Sequence, residues 1–321
     1  MDLRRILAAY PRHLADARWL ALGNAGGFSG ARIWRGTTFD GREFALKQYS
    51  PATTERQLAR IHGWMKAALE QGLPFVPAVE PGRDGRTLAL VDERCWDITT
   101  WMPGKADFHE DPTDDKLFAA IDALARIHAV WEKLVPAAEQ PCPAILRRWQ
   151  AVQDAQALLQ NDRARMAPST ESLSLDIERA WSLVPRLVPR MEAALAPWRI
   201  RPVRVLPCIG DLWHDHVLYV GTRVSGTIDF AAAKFDAPEA DMARLLGSLI
   251  PGERERLHRA LNVYRAIRPL PNHELVEVLD VTGTFGAVVN WLMRFKSLPK
   301  EDVARVARRF EKLVVRLGEF E

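Results

Sequence analysis

Two carboxylates and a pair of histidines stand close together late in this chain. In "GDLWHDHVLY" (residues 210–219) and "SGTIDF" (225–230), Asp211 precedes His214 and His216, and Asp229 ends an apolar run. One carboxylate can take a proton from a hydroxyl, and a second, with a polar ligand beside it, can hold a cation. Far upstream, "LGNAGGFSGAR" gathers Gly23, Gly26, Gly27, Ser29 and Gly30, and "FALKQY" sets Lys47 among apolar residues. Glycines let a backbone come close to a ligand and aim N–H groups at phosphate oxygens. Each piece also has an ordinary reading: a flexible turn, a solvated edge lysine, two turn acids. Their order favours phosphate chemistry, because phosphoryl transfer asks for positioning and charge neutralisation more than for covalent work.

The elements that must hold these residues can be read from periodicity. "RIWRGTTFDGREFALKQYS" alternates apolar and polar residues around Asp40-Gly41, which predicts a hairpin with Lys47 on its second strand. "TTERQLARIHGWMKAALEQG" has Leu58, Ile61, Met65 and Leu69 at helical spacing between a Thr cap and Gly72. "GRTLALV" and "RCWDITTWM" predict two more strands, and "PGKADFHEDPTDD" a linker. Beyond it, "DKLFAAIDALARIHAVWEKL" places Leu117, Ile121, Leu124, His128 and Trp131 on one helix face. More helix is expected over 144–200 with a break near 161–172. Short strands follow around 203–230, then four helices to the end. A small β-rich part, residues 1–104, therefore precedes a larger helical part, residues 105–321, that contains one polar hairpin.

Composition narrows the classes. The chain has 321 residues, 48% hydrophobic and 26% charged, which is ordinary for a globular protein of two parts. A net charge of +3 with scattered arginines argues against nucleic acid. No stretch reads as an uninterrupted apolar membrane span, and the first residues read as an amphipathic helix; no membrane partner is expected. Three widely spaced cysteines, Cys95, Cys142 and Cys208, suggest reduced thiols and a cytoplasmic setting. Nothing in the composition bears on oligomeric state.

The segment "IGDLWHDHVLY…GTIDF" resembles the catalytic hairpin of the aminoglycoside phosphotransferase and choline kinase-like family, whose usual form is HGD-x-x-x-x-N followed by a strand and I-D. "ALARIHAVW", "TTWMPG" and "DAPEADMARLLG" are similar to further segments of that family in the same order, over roughly residues 20–250. The resemblance implies an α+β, protein-kinase-like bilobal fold and ATP-dependent phosphorylation of a small-molecule hydroxyl, with Mg²⁺ or Mn²⁺. It implies that Asp211 is the catalytic base, that Asp229 and His216 hold metal, and that Gly26, Gly27, Ser29 and Lys47 bind the phosphates. Thr100, Trp101 and Met102 would receive adenine on their backbone. Asp241 would brace the catalytic loop. Glu55, at the start of the helix after Lys47, is the expected ion-pair partner of that lysine, with Glu70 as the other candidate.

Two positions depart from the pattern. Ile209 replaces a supporting histidine, where an apolar residue is tolerable. His216 replaces an asparagine, and imidazole nitrogen suits Mg²⁺ poorly. The alternative to an active kinase is therefore a catalytically weakened or inactive nucleotide-binding relative with a binding or regulatory role. The acceptor could be aminoglycoside-, choline- or homoserine-like. The carboxylates of "DFHEDPTDD" suit an aminoglycoside, though a solvated linker would carry the same residues. Trp101, Trp213 and Trp291 are candidates for a cage around a choline-like cation.

Overall fold

The computed structural model describes residues 3–23, 31–136, 138–161, 171–295 and 300–321. Its elements in chain order are α1 (Leu3–Leu7), α2 (Arg12–Ala15), β1 (Arg18–Gly23), β2 (Arg32–Thr37), β3 (Glu43–Gln48) and α3 (Glu55–Glu70). Next come β4 (Ala89–Val91), β5 (Arg94–Thr100), α4 (Asp114–Glu132), β6 (Ala138–Pro141), α5 (Pro143–Asn161) and α6 (Glu171–Leu195). Then follow β7 (Pro202–Cys208), β8 (Val217–Val220), β9 (Arg223–Thr227), β10 (Lys234–Asp236), α7 (Pro238–Leu249), α8 (Arg254–Ile267), α9 (Glu274–Arg294) and α10 (Lys300–Gly318). Two compact units result. One comprises residues 1–136, 211–234 and 262–268, the other 137–210, 235–261 and 269–321.

The first unit is built on an antiparallel sheet of order β1-β2-β3-β5-β4. Strand alternation gives β3 two faces. Phe44 and Leu46 point into a core with Trp34, Trp96 and Ile98, closed by Ile6 and Leu14 of the N-terminal helices and by Tyr10 of the turn between them. Lys47 therefore lies on the opposite face, in register with Ile33 of β2 and Asp97 of β5. α3 begins where expected: Thr54 Oγ1 accepts the Gln57 N–H at 3.2 Å, and Gly72 beyond its end has φ +78°. The β4–β5 turn is tight, with Asp92 and Glu93 both at positive φ. All five predicted face residues of α4 are buried.

The linker before α4 is pinned rather than loosely solvated. The buried Lys116 Nζ lies 2.9 Å from Asp107 and 3.2 Å from Asp111. Lys105 and Tyr219 exchange backbone hydrogen bonds, and Ser225 Oγ donates to the Pro103 carbonyl at 2.6 Å. Gly104 sits at φ +99°, and a side chain there would run into the Tyr219 main chain and the Ser225 hydroxyl.

The second unit has a sheet of order β10-β7-β6 and a helical core in which α9 packs against α5, α6, α7 and α10. α9 carries few charged residues. With a mean hydropathy of 1.3 over its best window it is long and apolar enough to cross a membrane by composition. Its burial instead comes from the surrounding helices: Leu275, Leu279, Phe285, Val288, Val289 and Leu292 are all buried. The short strands β6 and β10 were not expected. Both gain their hydrogen bonds only by pairing with β7, which no local pattern announces.

Candidate active site

Lys47 and Asp229, separated by 182 residues, form an ion pair with Nζ 2.7 Å from Oδ1. Asp229 directly caps a short 3₁₀ turn, Phe230–Ala232, and stands in the left-handed region at φ 61°, ψ 66°. That backbone costs a non-glycine residue about 1 kcal/mol and is tolerated best by Asn and Asp. Phe230 anchors the turn against the Trp131 ring at 5.9 Å, and Gln57 of α3 donates to the Ala231 carbonyl at 3.4 Å. Burial alone would raise the Asp229 carboxyl; the Lys47 ammonium outweighs it and holds the group below the usual carboxylate range.

The expected Lys47–Glu55 pair does not form. Glu55 is in the first turn of α3 and pairs with Arg86. Lys47 finds its second support in Tyr49, whose ring centre lies 5.1 Å from Nζ. Tyr49 is itself fixed: its hydroxyl donates to Asp97 Oδ2 at 2.6 Å, and His62 Nε2 lies 2.9 Å from the same oxygen. His62 Nδ1 lies 2.8 Å from Thr87 Oγ1. Burial first, and then the Asp97 charge, push the Tyr49 hydroxyl well above its ordinary pKa. Sequence reasoning missed this buried network. Its signal was a carboxylate, Asp97, inside the apolar strand "RCWDITTWM", together with a tyrosine two residues beyond Lys47.

The loop between β7 and β8 carries Asp211, which is half-buried. Immediately before it, the Ile209 and Gly210 N–H groups donate to Asp241 at 2.6 and 2.8 Å. Asp241 thus braces the loop, as expected, and Ile209 is fully buried. His216 lies across the same loop. Its Nδ1 is 2.8 Å from the Asp211 carbonyl oxygen, and its Nε2 accepts the Trp213 indole N–H at 3.0 Å. His216 Nε2 is 3.9 Å from Asp229 Oδ2. Lys47, Asp229, His216 and the Asp211 main chain therefore form one continuous set of contacts.

The remaining expected residues divide. Gly26, Gly27 and Ser29 lie outside the described residues. The Thr100 N–H donates to the Ala78 carbonyl at 2.9 Å and the Trp101 N–H to Glu43 at 3.0 Å, so neither is open to a base. Among the described residues the Met102 N–H has no partner, so it alone of the three can donate to one. Trp101 lies under the Arg35 guanidinium at 4.7 Å, and Trp291 is a buried residue stacked on Phe295 at 6.0 Å. Trp213 lies among His214 and His216, with ring centres 4.7 and 5.4 Å away.

Asp229 offers hard carboxylate oxygen at 39% side-chain exposure, with Oδ2 not engaged by Lys47. His216 offers nitrogen whose lone pair is already directed at Trp213.

Comparison with known proteins bears on the family and the fold. A family profile described as "Phosphotransferase enzyme family" matches residues 21–270. No curated protein matches by sequence. Among solved structures, an aminoglycoside phosphotransferase from Alicyclobacillus acidocaldarius has a TM-score of 0.63 at 17% identity, over 100% of this chain and 94% of its own. A spectinomycin phosphotransferase in complex with ADP and spectinomycin has a TM-score of 0.68 at 10% identity, over 94% and 92%. A choline/ethanolamine kinase family protein from Mesorhizobium loti has a TM-score of 0.61 at 14% identity, over 98% and 91%. These likenesses establish the protein-kinase-like α+β fold, with an antiparallel sheet near the N-terminus and helices toward the C-terminus.

Proposed function

The chain belongs to the phosphotransferase enzyme family, and on that premise we propose that it moves the γ-phosphate of ATP to a hydroxyl of a small molecule. One observation carries this reading: the strand lysine Lys47 is ion-paired at 2.7 Å with Asp229, an acid held in a left-handed turn. Two functions are thereby joined, a cation that grips phosphates and a carboxylate that holds a metal. In this reading residues 1–104 bind the nucleotide, with Gly26, Gly27 and Ser29 over the phosphates and the Met102 N–H on adenine. Residues 105–321 supply the catalytic hairpin. Asp211 orients the acceptor hydroxyl and takes its proton as the phosphoryl group is transferred. Mg²⁺, held by Asp229, would neutralise the negative charge that gathers on the transferring phosphoryl oxygens.

The acceptor class stays with the family's range, aminoglycoside-, choline- or homoserine-like. Asp107 and Asp111 are committed to Lys116, which weakens the case for them as a receptor for a polycationic aminoglycoside.

The test is ADP release by the full chain with Mg²⁺ or Mn²⁺, screened across these acceptor classes, beside calorimetric titration of ATP. Acceptor-dependent ADP release supports the kinase. Nucleotide binding without release under every condition supports the second reading, an inactive relative. Absence of nucleotide binding refutes both.

A further inference from the structure

His216 occupies the position at which the resemblance places a metal-ligating asparagine, and its surroundings give it other work. An indole N–H can only donate and a main-chain carbonyl can only accept. Trp213 Nε1 donates to His216 Nε2 at 3.0 Å, and His216 Nδ1 is 2.8 Å from the Asp211 carbonyl oxygen. With an indole donor in front of it, Nε2 presents its lone pair to Trp213, which leaves Nδ1 to carry a proton toward the Asp211 carbonyl. The main chain is engaged as well: the His216 N–H donates to the Trp213 carbonyl at 2.9 Å, and the Ile228 N–H donates to the His216 carbonyl at 2.9 Å. The side chain is 14% exposed, so little water competes for either nitrogen.

These contacts close the Asp211–His216 segment on itself. The imidazole reaches back five residues to the Asp211 main chain, and the indole three residues back fixes the plane and tautomer of the imidazole. The loop is also held from its other end, where Asp241 accepts the Ile209 and Gly210 N–H groups. Nothing in this arrangement leaves Nε2 open toward a cation, and nitrogen is in any case a poor partner for Mg²⁺.

We propose that Trp213 and His216 are a positioning pair for Asp211, locking its main chain through an Nδ1-protonated imidazole, and that His216 is not a metal ligand. This rests on the reading of Asp211 as the base that serves the acceptor hydroxyl. The pair would replace an asparagine's metal contact with a purely protein-internal support, leaving Asp229 as the protein's metal-binding side chain at this hairpin.

The test begins with the full chain labelled with ¹⁵N-histidine. Long-range ¹H–¹⁵N correlation spectra of the free protein report the tautomer directly and need neither nucleotide nor turnover. The Nδ1–H form is expected for His216, with its Nε2 resonance shifting in Trp213→Phe, which keeps an aromatic ring but removes the N–H. An Nε2–H tautomer, or an Nε2 resonance indifferent to Trp213→Phe, overturns the proposal. With Mn²⁺ and ATP bound, pulsed electron paramagnetic resonance should detect no directly coordinated ¹⁴N. A coordinated imidazole signal that disappears in His216→Asn would overturn it equally. In kinetics, Trp213→Phe should lower kcat about tenfold, the rate equivalent of one lost hydrogen bond, while KM for ATP changes less than about twofold. A change confined to KM would refute positioning. If the wild type binds no nucleotide, the kinase reading fails by itself, and the tautomer still decides the role of this pair.

Discussion

Replacing Lys47 with alanine separates the phosphate-binding role from every other role of the strand. The side chain is 15% exposed and its ammonium is 2.7 Å from Asp229 Oδ1. Asp229 is 39% exposed, so solvent screening limits the contribution of the pair to fold stability to at most about 1 kcal/mol. A charge-assisted contact to a phosphate oxygen is worth about 1.5–3 kcal/mol. Lys47→Ala should therefore weaken ATP by about ten- to a hundredfold. Loss of the ammonium also leaves the Asp229 carboxylate uncompensated beside the incoming phosphates, which acts in the same direction. Adenosine carries no phosphate, so its affinity should change less than about twofold. Calorimetric titration of both ligands into wild type and variant, without metal, gives the comparison. Equal weakening of ATP and adenosine would mean that the substitution disturbs the sheet rather than a phosphate contact. Unchanged ATP affinity would mean that Lys47 serves only to hold Asp229. Either result would refute the assignment.

Asp211→Asn keeps the shape of the side chain but removes the proton acceptor, so turnover should fall about 10²–10⁴-fold with ATP affinity little changed; near-wild-type turnover removes Asp211 from the chemistry. Tyr49→Phe deletes the 2.6 Å bond to a buried carboxylate and should cost about 1–3 kcal/mol in urea denaturation. Because the ring beneath Lys47 is retained, that variant should lose far less ATP affinity than Lys47→Ala. All three cysteines are outside any disulfide and buried, and burial pushes the Cys142 thiol up to about 11. A raised thiol pKa keeps the sulfur neutral at pH 8, so a thiol-specific reagent should label Cys142 only after denaturant is added; rapid labelling of the native protein would contradict its burial.

What the sequence disclosed follows from the range over which each signal acts. Period-two alternation over "REFALKQYS" was enough to set Lys47 on a strand, since the strand carries its own pattern. Thr54, Gly72 and the face of α4 were legible for the same reason. Asp241 was recognised as a brace because its segment resembled a known one. The partner of Lys47 was not legible in the residues alone: Glu55 is close in sequence, but a first-turn glutamate can swing outward, and Arg86 receives it. The acidic stretch before α4 looked solvated because the lysine that binds it, Lys116, points inward from a helix whose pattern reports only apolar residues. Trp213 gave no sign of its role. Indole is counted as apolar in any periodicity, and its single N–H becomes informative only when the loop geometry puts an imidazole lone pair in front of it.

The left-handed backbone at Asp229 also sets which mutations can be inherited at that position. At φ 61° most side chains bring a steric penalty, whereas asparagine, aspartate and glycine are accommodated. Drift at residue 229 therefore runs along a narrow path. The neighbours easiest for this backbone to accept, asparagine and glycine, both delete the carboxylate while keeping the left-handed conformation. A lineage losing its chemistry through this site would keep a well-folded protein, with the retained shape of the turn recording a former need for charge.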